Sequence, residues 1–341
     1  IDLIPELTNL GVENFVFGVG NSLLHQECEN NSIHFINSKK NKLNKFVNYR
    51  YLKSVVKDIQ PDLIHLHTSD SLTVFTISDL LFRLKTKAVF SKKGMGSSSS
   101  FLSKFKYNYA NIESIICVSE AVKKSFSRIM TKKNMSKLTV VYDGINIHRA
   151  KGGNDLNVRE LFNINEDKFI LGNIANHVKA KDLFTLIRAI SYLIYDLGFN
   201  NIHLLQMGKF SDKLTPEIKK LIIEMKLDNY ITLADFQPNA LGFLTQFDLY
   251  LMSSEREGLP LTIFEAFLKK TPVVSTTAGG IPEAITHDFN GYLCEIGDFE
   301  NLAKNIYKLI NDQKKKEEFV NRSYEIFFEN FGYPAKVCEV E

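Results

Sequence analysis

The chain has 341 residues, 44% hydrophobic and 24% charged, ordinary globular values at a length that suits about two domains. No apolar stretch approaches the roughly 20 residues that cross a bilayer, which excludes a spanning helix, and the four cysteines (Cys28, Cys117, Cys294, Cys338) lack zinc-site spacings and read as reduced thiols of a cytoplasmic protein. Net charge is +3, but residues 1–150 carry 21 Lys and Arg against 12 Asp and Glu (+9) while the rest carries 21 against 27 (−6).

In chain order, residues 1–11 read as a helix closed by a glycine cap at Gly11, with no strand before it. A doubly wound domain opens on a strand, so an opening strand and its loop are expected to precede residue 1. Strands are then predicted at 14–18, 32–37, 62–68, 87–91, 114–119 and 138–142, with helical patterns between them. The basic residues of this half include Lys39, Lys40, Lys42, Lys45, Lys92, Lys93, Lys104 and Lys106. They read either as a face for anionic lipid or a phosphate-bearing substrate, or as a solvated surface. The Gly- and Asn-rich stretch 151–155 is the expected domain boundary. Further strands are predicted at 169–174, 202–207, 230–233, 248–253, 272–275 and 291–294. Such alternation argues for an α/β protein with parallel sheets covered by helices on both faces.

The strongest pattern follows the apolar run 248–254. Glu257-Gly258-Leu259-Pro260 reads as a turn opening a helix, with proline at a first helical position, and Glu265 lies about two turns on. Both carboxylates then face a ligand at the helix N-terminus, where free amides favour an anion such as a diphosphate. Pro260 has no N–H, so Leu261 and Thr262 must supply those amides. Gly279 and Gly280 permit close backbone approach at the next turn. The bland alternatives are a surface helix with two solvated acids and a plain Gly-Gly turn.

Taken together these segments carry a resemblance. Glu257-Gly258-Leu259-Pro260, Glu265-Ala266, Pro272-Val273-Val274-Ser275 and Gly279-Gly280-Ile281-Pro282-Glu283 resemble the donor-site signature of the retaining GT-B-fold glycosyltransferases of family 4 (glycosyl transferases group 1). Pro61 to His67, Cys117-Val118-Ser119-Glu120 and Tyr142-Asp143-Gly144-Ile145-Asn146 are similar to segments of that family's first half. The resemblance implies two Rossmann-like doubly wound parallel-sheet domains facing across a cleft. Residues 1–150 would form the acceptor side and 151–328 the nucleotide-sugar domain, with 329–341 crossing back to the first. The implied activity is a hexosyltransferase-type transfer from a nucleotide diphosphate sugar to an acceptor hydroxyl in bacterial-type polysaccharide or glycolipid synthesis.

Roles follow from the same resemblance. Glu265 would bind the donor ribose hydroxyls, since a carboxylate accepts two bonds from a vicinal diol. Glu257 would contact the donor sugar near the reacting carbon, where its charge favours the transition state. By spacing, Asn176 takes the place of the family's diphosphate-binding arginine and Lys181 that of its lysine, with Asp182 where glycine is common. Gly208, Gly258, Leu259, Pro260, Leu261, Thr262, Gly280 and Ile281 complete the donor segment, and base contacts are expected from backbone near 234–236. There is no Asp-x-Asp motif, so no metal and no cofactor beyond the donor is expected.

The acceptor side departs from the family. Lys92 and Lys93 hold the place of a histidine found near the donor sugar, and His65 and His67, read as alternating along one strand, leave His67 as the one facing the site. The loop 94–100 is expected to order on acceptor binding or to be simply flexible. Implied partners are a nucleotide sugar and a carbohydrate or lipid-linked acceptor, with peripheral membrane contact through the basic first domain and no nucleic acid. A GT-B-like sugar-nucleotide epimerase or sugar-phosphate transferase, and a catalytically impaired sugar-nucleotide-binding protein, stay open. No Gly-x-Gly-x-x-Gly follows a predicted strand, which argues against a nicotinamide dehydrogenase.

Overall fold

The computed structural model describes residues 3–96, 100–145, 147 and 156–331. The chain groups into two compact units that change over after Tyr142, inside the 142–146 segment. The expected boundary stretch 151–155, residues 97–99 of the serine loop and residues 332–341 of the tail lie outside the described residues.

In the first unit, α1 (Ile4–Asn9) is closed by Gly11, whose φ is +86° and whose N–H bonds the Thr8 carbonyl at 3.0 Å, a left-handed cap that glycine adopts at little cost. β1 (Phe15–Gly18) and β2 (His34–Asn37) pair in parallel across α2 (Leu23–Asn30). After α3 (Phe46–Ile59), a second parallel sheet takes its strands in chain order: β3 (Leu63–Leu66), β4 (Lys87–Lys92), β5 (Ile112–Cys117) and β6 (Leu138–Val140). The connections carry α4 (Ser69–Phe82), α5 (Phe101–Tyr107) and α6 (Glu120–Ser127). A reciprocal capping box starts α4: Thr68 Oγ1 accepts from the Ser71 N–H and Ser71 Oγ from the Thr68 N–H, each at 3.0 Å. Because the sheet is parallel, the loops after β3 and β4 leave from the same edge.

The second unit holds one six-stranded parallel sheet: β7 (Phe169–Ile174), β8 (Ile202–Met207), β9 (Ile231–Ala234), β10 (Leu249–Met252), β11 (Val273–Thr276) and β12 (Tyr292–Cys294). Its helices are α7 (Val158–Phe162), α8 (Leu183–Tyr195), α9 (Leu214–Glu224), α10 (Leu261–Leu268), α11 (Ile281–Ala284), α12 (Phe299–Ile310) and α13 (Gln313–Asn330). All four residues of β10 are buried, which is why it reads as an unbroken apolar run. Leu186, Ile190 and Leu193 of α8 and Leu302 and Ile306 of α12 are fully buried on the sheet. Removing each from water contributes about 1.5–3 kcal/mol.

Strand order is β12-β11-β10-β7-β8-β9. The chain builds outward from β7 to β9, then returns to the other side of β7 with β10. Loops that follow β7 and β10 therefore part in opposite directions, and a crevice opens between them at the carboxyl ends of the strands. The predicted strands all occur, with ends shifted by at most two residues. No helix among the described residues is long and apolar enough to cross a membrane.

Candidate functional site

The two loops at that reversal of strand order are stitched together. Lys181, in a 3-10 turn after β7, places Nζ 2.6 Å from Oε1 of Glu257, in the loop after β10. The same Oε1 accepts from Ser254 Oγ at 2.6 Å. Ser253 Oγ donates to the Lys181 carbonyl at 3.1 Å, and the Glu255 N–H to the Ala180 carbonyl at 2.9 Å. Only 27% of the Lys181 side chain and 10% of the Glu257 side chain are exposed, so removing either partner would leave a poorly hydrated charge without its counterpart. Sequence reasoning gave these residues separate tasks; the structure makes them a pair, and among the described residues Oε2 of Glu257 is left for a further donor.

Asp182 explains its own departure from glycine. Its φ of +40° lies in the left-handed region, which aspartate tolerates better than most residues. Its carboxylate also caps α8, accepting from Thr185 Oγ1 at 2.6 Å and the Thr185 N–H at 3.3 Å.

On the other side of the β10 loop lies the Gly279-Gly280 turn. Gly279 has φ +58°, and a Cβ there would stand 1.8 Å from the Glu257 carbonyl oxygen. The Gly280 N–H donates to the Gly258 carbonyl at 3.0 Å, and Thr276 Oγ1 to the Ser254 carbonyl at 2.6 Å. Gly279 is thus the glycine whose lack of a side chain leaves room for the Glu257 carbonyl. Leu259 and Ile281 are buried, and the Ile281 N–H donates to the Ala278 carbonyl at 3.2 Å, so both belong to the packing beneath the loop. Pro260 corrects the expected register by one: it is the N-cap of α10, and Leu261 is the first helical residue. Its carbonyl accepts from the Ile263 N–H at 3.1 Å. The Leu261 and Thr262 amides lie in the first turn, where the helix itself offers no acceptor.

Glu265 sits in the second turn of α10. Among the described residues its carboxylate makes no hydrogen bond or ion pair, and burial alone raises its pKa from 4.5 to about 7. Beneath it Tyr250 is fully buried, its hydroxyl 3.5 Å from the Ile174 carbonyl. Burial raises the Tyr250 pKa first, and the charges of Glu265 and Glu257 raise it further.

A buried polar cluster underlies the loops after β7 and β8, and sequence reasoning missed it. His177, 1% exposed, bonds Thr215 Oγ1 through Nδ1 and Gln206 Oε1 through Nε2, each at 2.7 Å. Gln206 Nε2 donates to the Ala175 carbonyl at 2.7 Å, and Asn173 Nδ2 to the Leu251 carbonyl at 2.8 Å. Burial lowers the His177 pKa. The available signal was three polar side chains at the ends of apolar strands, Asn173, His177 and Gln206. Asn176 joins the same frame by accepting from the Lys209 N–H at 2.9 Å. Gly208, at φ +150°, would put a Cβ 2.1 Å from the Ala175 carbonyl oxygen. Asp235 accepts from the Phe210 and Phe236 N–H groups at 3.0 and 2.7 Å, and these bonds lower its pKa.

His67, Lys92 and Lys93 all belong to the first unit. There the reading of His65 and His67 is corrected: residues two apart share one face of a strand, and their rings meet at a tilt of 32° with centroids 4.1 Å apart. His65 Nε2 lies 2.7 Å from Ser91 Oγ. Loss of water around the His67 ring lowers its pKa, with His65 and Lys93 adding to the effect. Of the acceptor-side candidates, Lys92 ends β4 and Lys93 follows it; Lys92 Nζ donates to the Gly96 carbonyl at 2.5 Å.

Residues 155–326 match the family model described as glycosyl transferases group 1, and residues 1–149 match glycosyltransferase family 4. N-acetyl-alpha-D-glucosaminyl L-malate synthase of Bacillus anthracis is 28% identical over 184 residues, 54% of this chain and 47% of that protein. The capsular polysaccharide biosynthesis glycosyltransferase CapM of Staphylococcus aureus is 26% identical over 208 residues, 60% of this chain and 53% of that protein. The chain thus spans about half the length of these curated relatives. HepE of Anabaena, solved with UDP, shares the fold at TM-score 0.82 and 19% identity over 96% of this chain and 90% of that one.

Proposed function

The chain belongs to the glycosyl transferases group 1, and from that membership we propose that it moves a sugar from a nucleotide diphosphate to an acceptor hydroxyl, with retention at the anomeric carbon, in polysaccharide or glycolipid synthesis. The observation that carries the reading is the Lys181–Glu257 pair set at the reversal of strand order, together with Glu265, which has no hydrogen bond or ion pair among the described residues. The ribose diol donates to Glu265, while the diphosphate takes the Leu261 and Thr262 amides and the Lys181 ammonium. Glu257, oriented by Lys181 and Ser254 through Oε1, presents Oε2 to the sugar, where its charge stabilises the carbon as the leaving group departs. The acceptor oxygen bonds the anomeric carbon on the face the diphosphate leaves, and the departing phosphate oxygen takes the acceptor proton. No protein nucleophile is required.

The UDP complex of HepE makes UDP sugars the first donors to try. The relatives named above are a glycosyltransferase and a synthase, which does not favour an epimerase. The excess of cations in residues 1–150 supports a cytoplasmic enzyme working at an anionic membrane face.

A thermal-shift panel of UDP, GDP and ADP sugars identifies the donor, because a ligand that binds only the folded state raises its stability. Acceptor-dependent nucleotide release then measures transfer. Glu257→Gln should lower kcat about 100-fold or more with little change in KM, and Lys181→Ala should lower it further by freeing the carboxylate. Wild-type rates in both variants, or a product of inverted configuration, would sink the assignment.

A further inference from the structure

At the carboxyl ends of β3 and β4 the first unit holds a cavity of about 320 Å³, with His67, Ser69, Lys92, Lys93, Ser103 and Tyr107 in its wall. Lys92 Nζ lies 5.7 Å from the centre of the Phe126 ring and, among the described residues, donates to the Gly96 carbonyl. Behind Ser69, Lys106 Nζ donates to Ser69 Oγ at 2.6 Å, Thr73 Oγ1 at 3.1 Å and the Ser69 carbonyl at 3.2 Å. Among the described residues neither lysine has a carboxylate partner; every acceptor is a neutral oxygen. Asp70, exposed on the first turn of α4, raises the Lys106 pKa without forming an ion pair with it.

Half-buried ammonium groups without a counter-charge are costly. Here burial lowers the pKa of both lysines, and Lys106 lowers that of Lys92 further. The fourteen-residue helix α4 directs its N-terminal dipole toward Ser69 and so adds to the same positive field. His65 and His67 have lowered pKa values, so they contribute hydrogen bonds rather than charge. An anion in the cavity would complete this set. Next to it, α5 leaves Phe101, Leu102 and Phe105 exposed at 82%, 76% and 45%, on the helix whose Ser103 and Tyr107 line the cavity.

Resting on the transfer reading above, we propose that the acceptor carries a phosphate group and that this cavity binds it, with Lys92 as the direct contact and Lys93 and Lys106 adding charge. The phosphate comes from either a lipid-linked acceptor, whose apolar part would cover the α5 face, or a soluble phosphate ester.

Isothermal titration of inorganic phosphate into the full chain tests the site. With the donor site filled by saturating nucleoside diphosphate, Lys92→Gln should weaken phosphate binding at least tenfold and Lys92→Arg should restore it. Unchanged affinity in Lys92→Gln, or phosphate binding abolished once nucleoside diphosphate saturates the donor site, overturns the proposal. A retained nucleotide-induced thermal shift shows that the Lys92 variants are folded. Acceptors in matched neutral and phosphorylated pairs provide the second readout: the phosphorylated member should gain at least tenfold in kcat/KM, and equal use of both overturns the proposal. Flotation with phosphatidic acid vesicles separates the sources, since binding abolished by Phe101→Ser and Leu102→Ser assigns the lipid-linked form and phosphate binding without flotation assigns the soluble one. If phosphate binds through Lys92 yet no sugar reaches any acceptor, the phosphate site stands and the transfer reading falls.

Discussion

The carboxyl ends of the four-stranded sheet and the six-stranded sheet carry opposite kinds of construction. In the second unit, charge meets charge: Lys181 is held on Glu257, and the backbone of the β10 loop is fixed by Ala180, Gly279 and Gly280. In the first unit, Lys92 and Lys106 rest on neutral oxygens, and a Cβ added at Gly94 or Gly96 would touch nothing within 4 Å. A site for a common part, such as a nucleotide diphosphate, can be built rigidly once. A site for a variable part is better left open in shape and specified by charge. The difference teaches where tolerance to change lies: steric in the second unit, electrostatic in the first.

The sharpest way to break that comparison is to add the same methyl group to both. Gly279→Ala forces a Cβ into the Glu257 carbonyl at a left-handed φ, so the loop must move. A displacement of about 1 Å costs on the order of 100-fold in rate, and kcat/KM with the identified donor should fall at least that far. Gly94→Ala and Gly96→Ala should leave kcat/KM within about twofold, as substitutions without strain or lost contact usually do. If all three variants behave alike, the second unit's loops are no more constrained than the first unit's.

The elements were more legible than the contacts among them. The strands were foreseen as bounded apolar runs alternating with helical patterns, most clearly where a parallel strand is buried on both faces, as in 248–253. The Lys181–Glu257 pair was not, since its members lie 76 residues apart and meet only because β10 returns beside β7. Sequence spacing carries no record of that order. Asp182 looked like a loss where glycine is common, yet it supplies both the left-handed conformation and the helix cap. Gly279 and Gly280 were equal in sequence, and only the position of the Glu257 carbonyl tells them apart. His65 and His67 needed only the two-residue period applied correctly.

A second test sharpens the comparison through pH. Glu265 lacks the partner that Glu257 has, and burial lifts its pKa from 4.5 to about 7. Between those values the folded state keeps a proton that the unfolded state has released, so stability falls as pH rises through that window and stays lower above it. The full shift corresponds to about 3 kcal/mol, and partial solvent contact reduces it to about 2 kcal/mol. Glu265→Gln should therefore be about 2 kcal/mol more stable than the wild type at pH 8 and no more stable at pH 4, measured by urea unfolding. Nucleotide binding has the opposite sign, because a diol donates to the ionised form. Wild-type affinity should weaken up to about tenfold per pH unit below 7, and the Gln variant should bind weakly at every pH. A flat wild-type profile would mean that Glu265 does not meet the ribose.

The smallest expected effect separates conformation from charge within the stitched loop. Asp182→Gly keeps the left-handed backbone at no steric cost but loses the cap on Thr185, so unfolding free energy should drop by about 1 kcal/mol or less. Asp182→Ala loses the cap and also pays for a Cβ at φ +40°, which should bring the loss to about 2 kcal/mol. Asp182→Asn retains an oxygen acceptor and tolerates the conformation, so it should lie within about 0.5 kcal/mol of the wild type. The ordering Asn, Gly, Ala is the test. Were Gly and Ala equally destabilised, the left-handed geometry would not be what this position demands, and the lysine one residue earlier would have to be held over Glu257 by the Ser253 and Ala180 contacts alone.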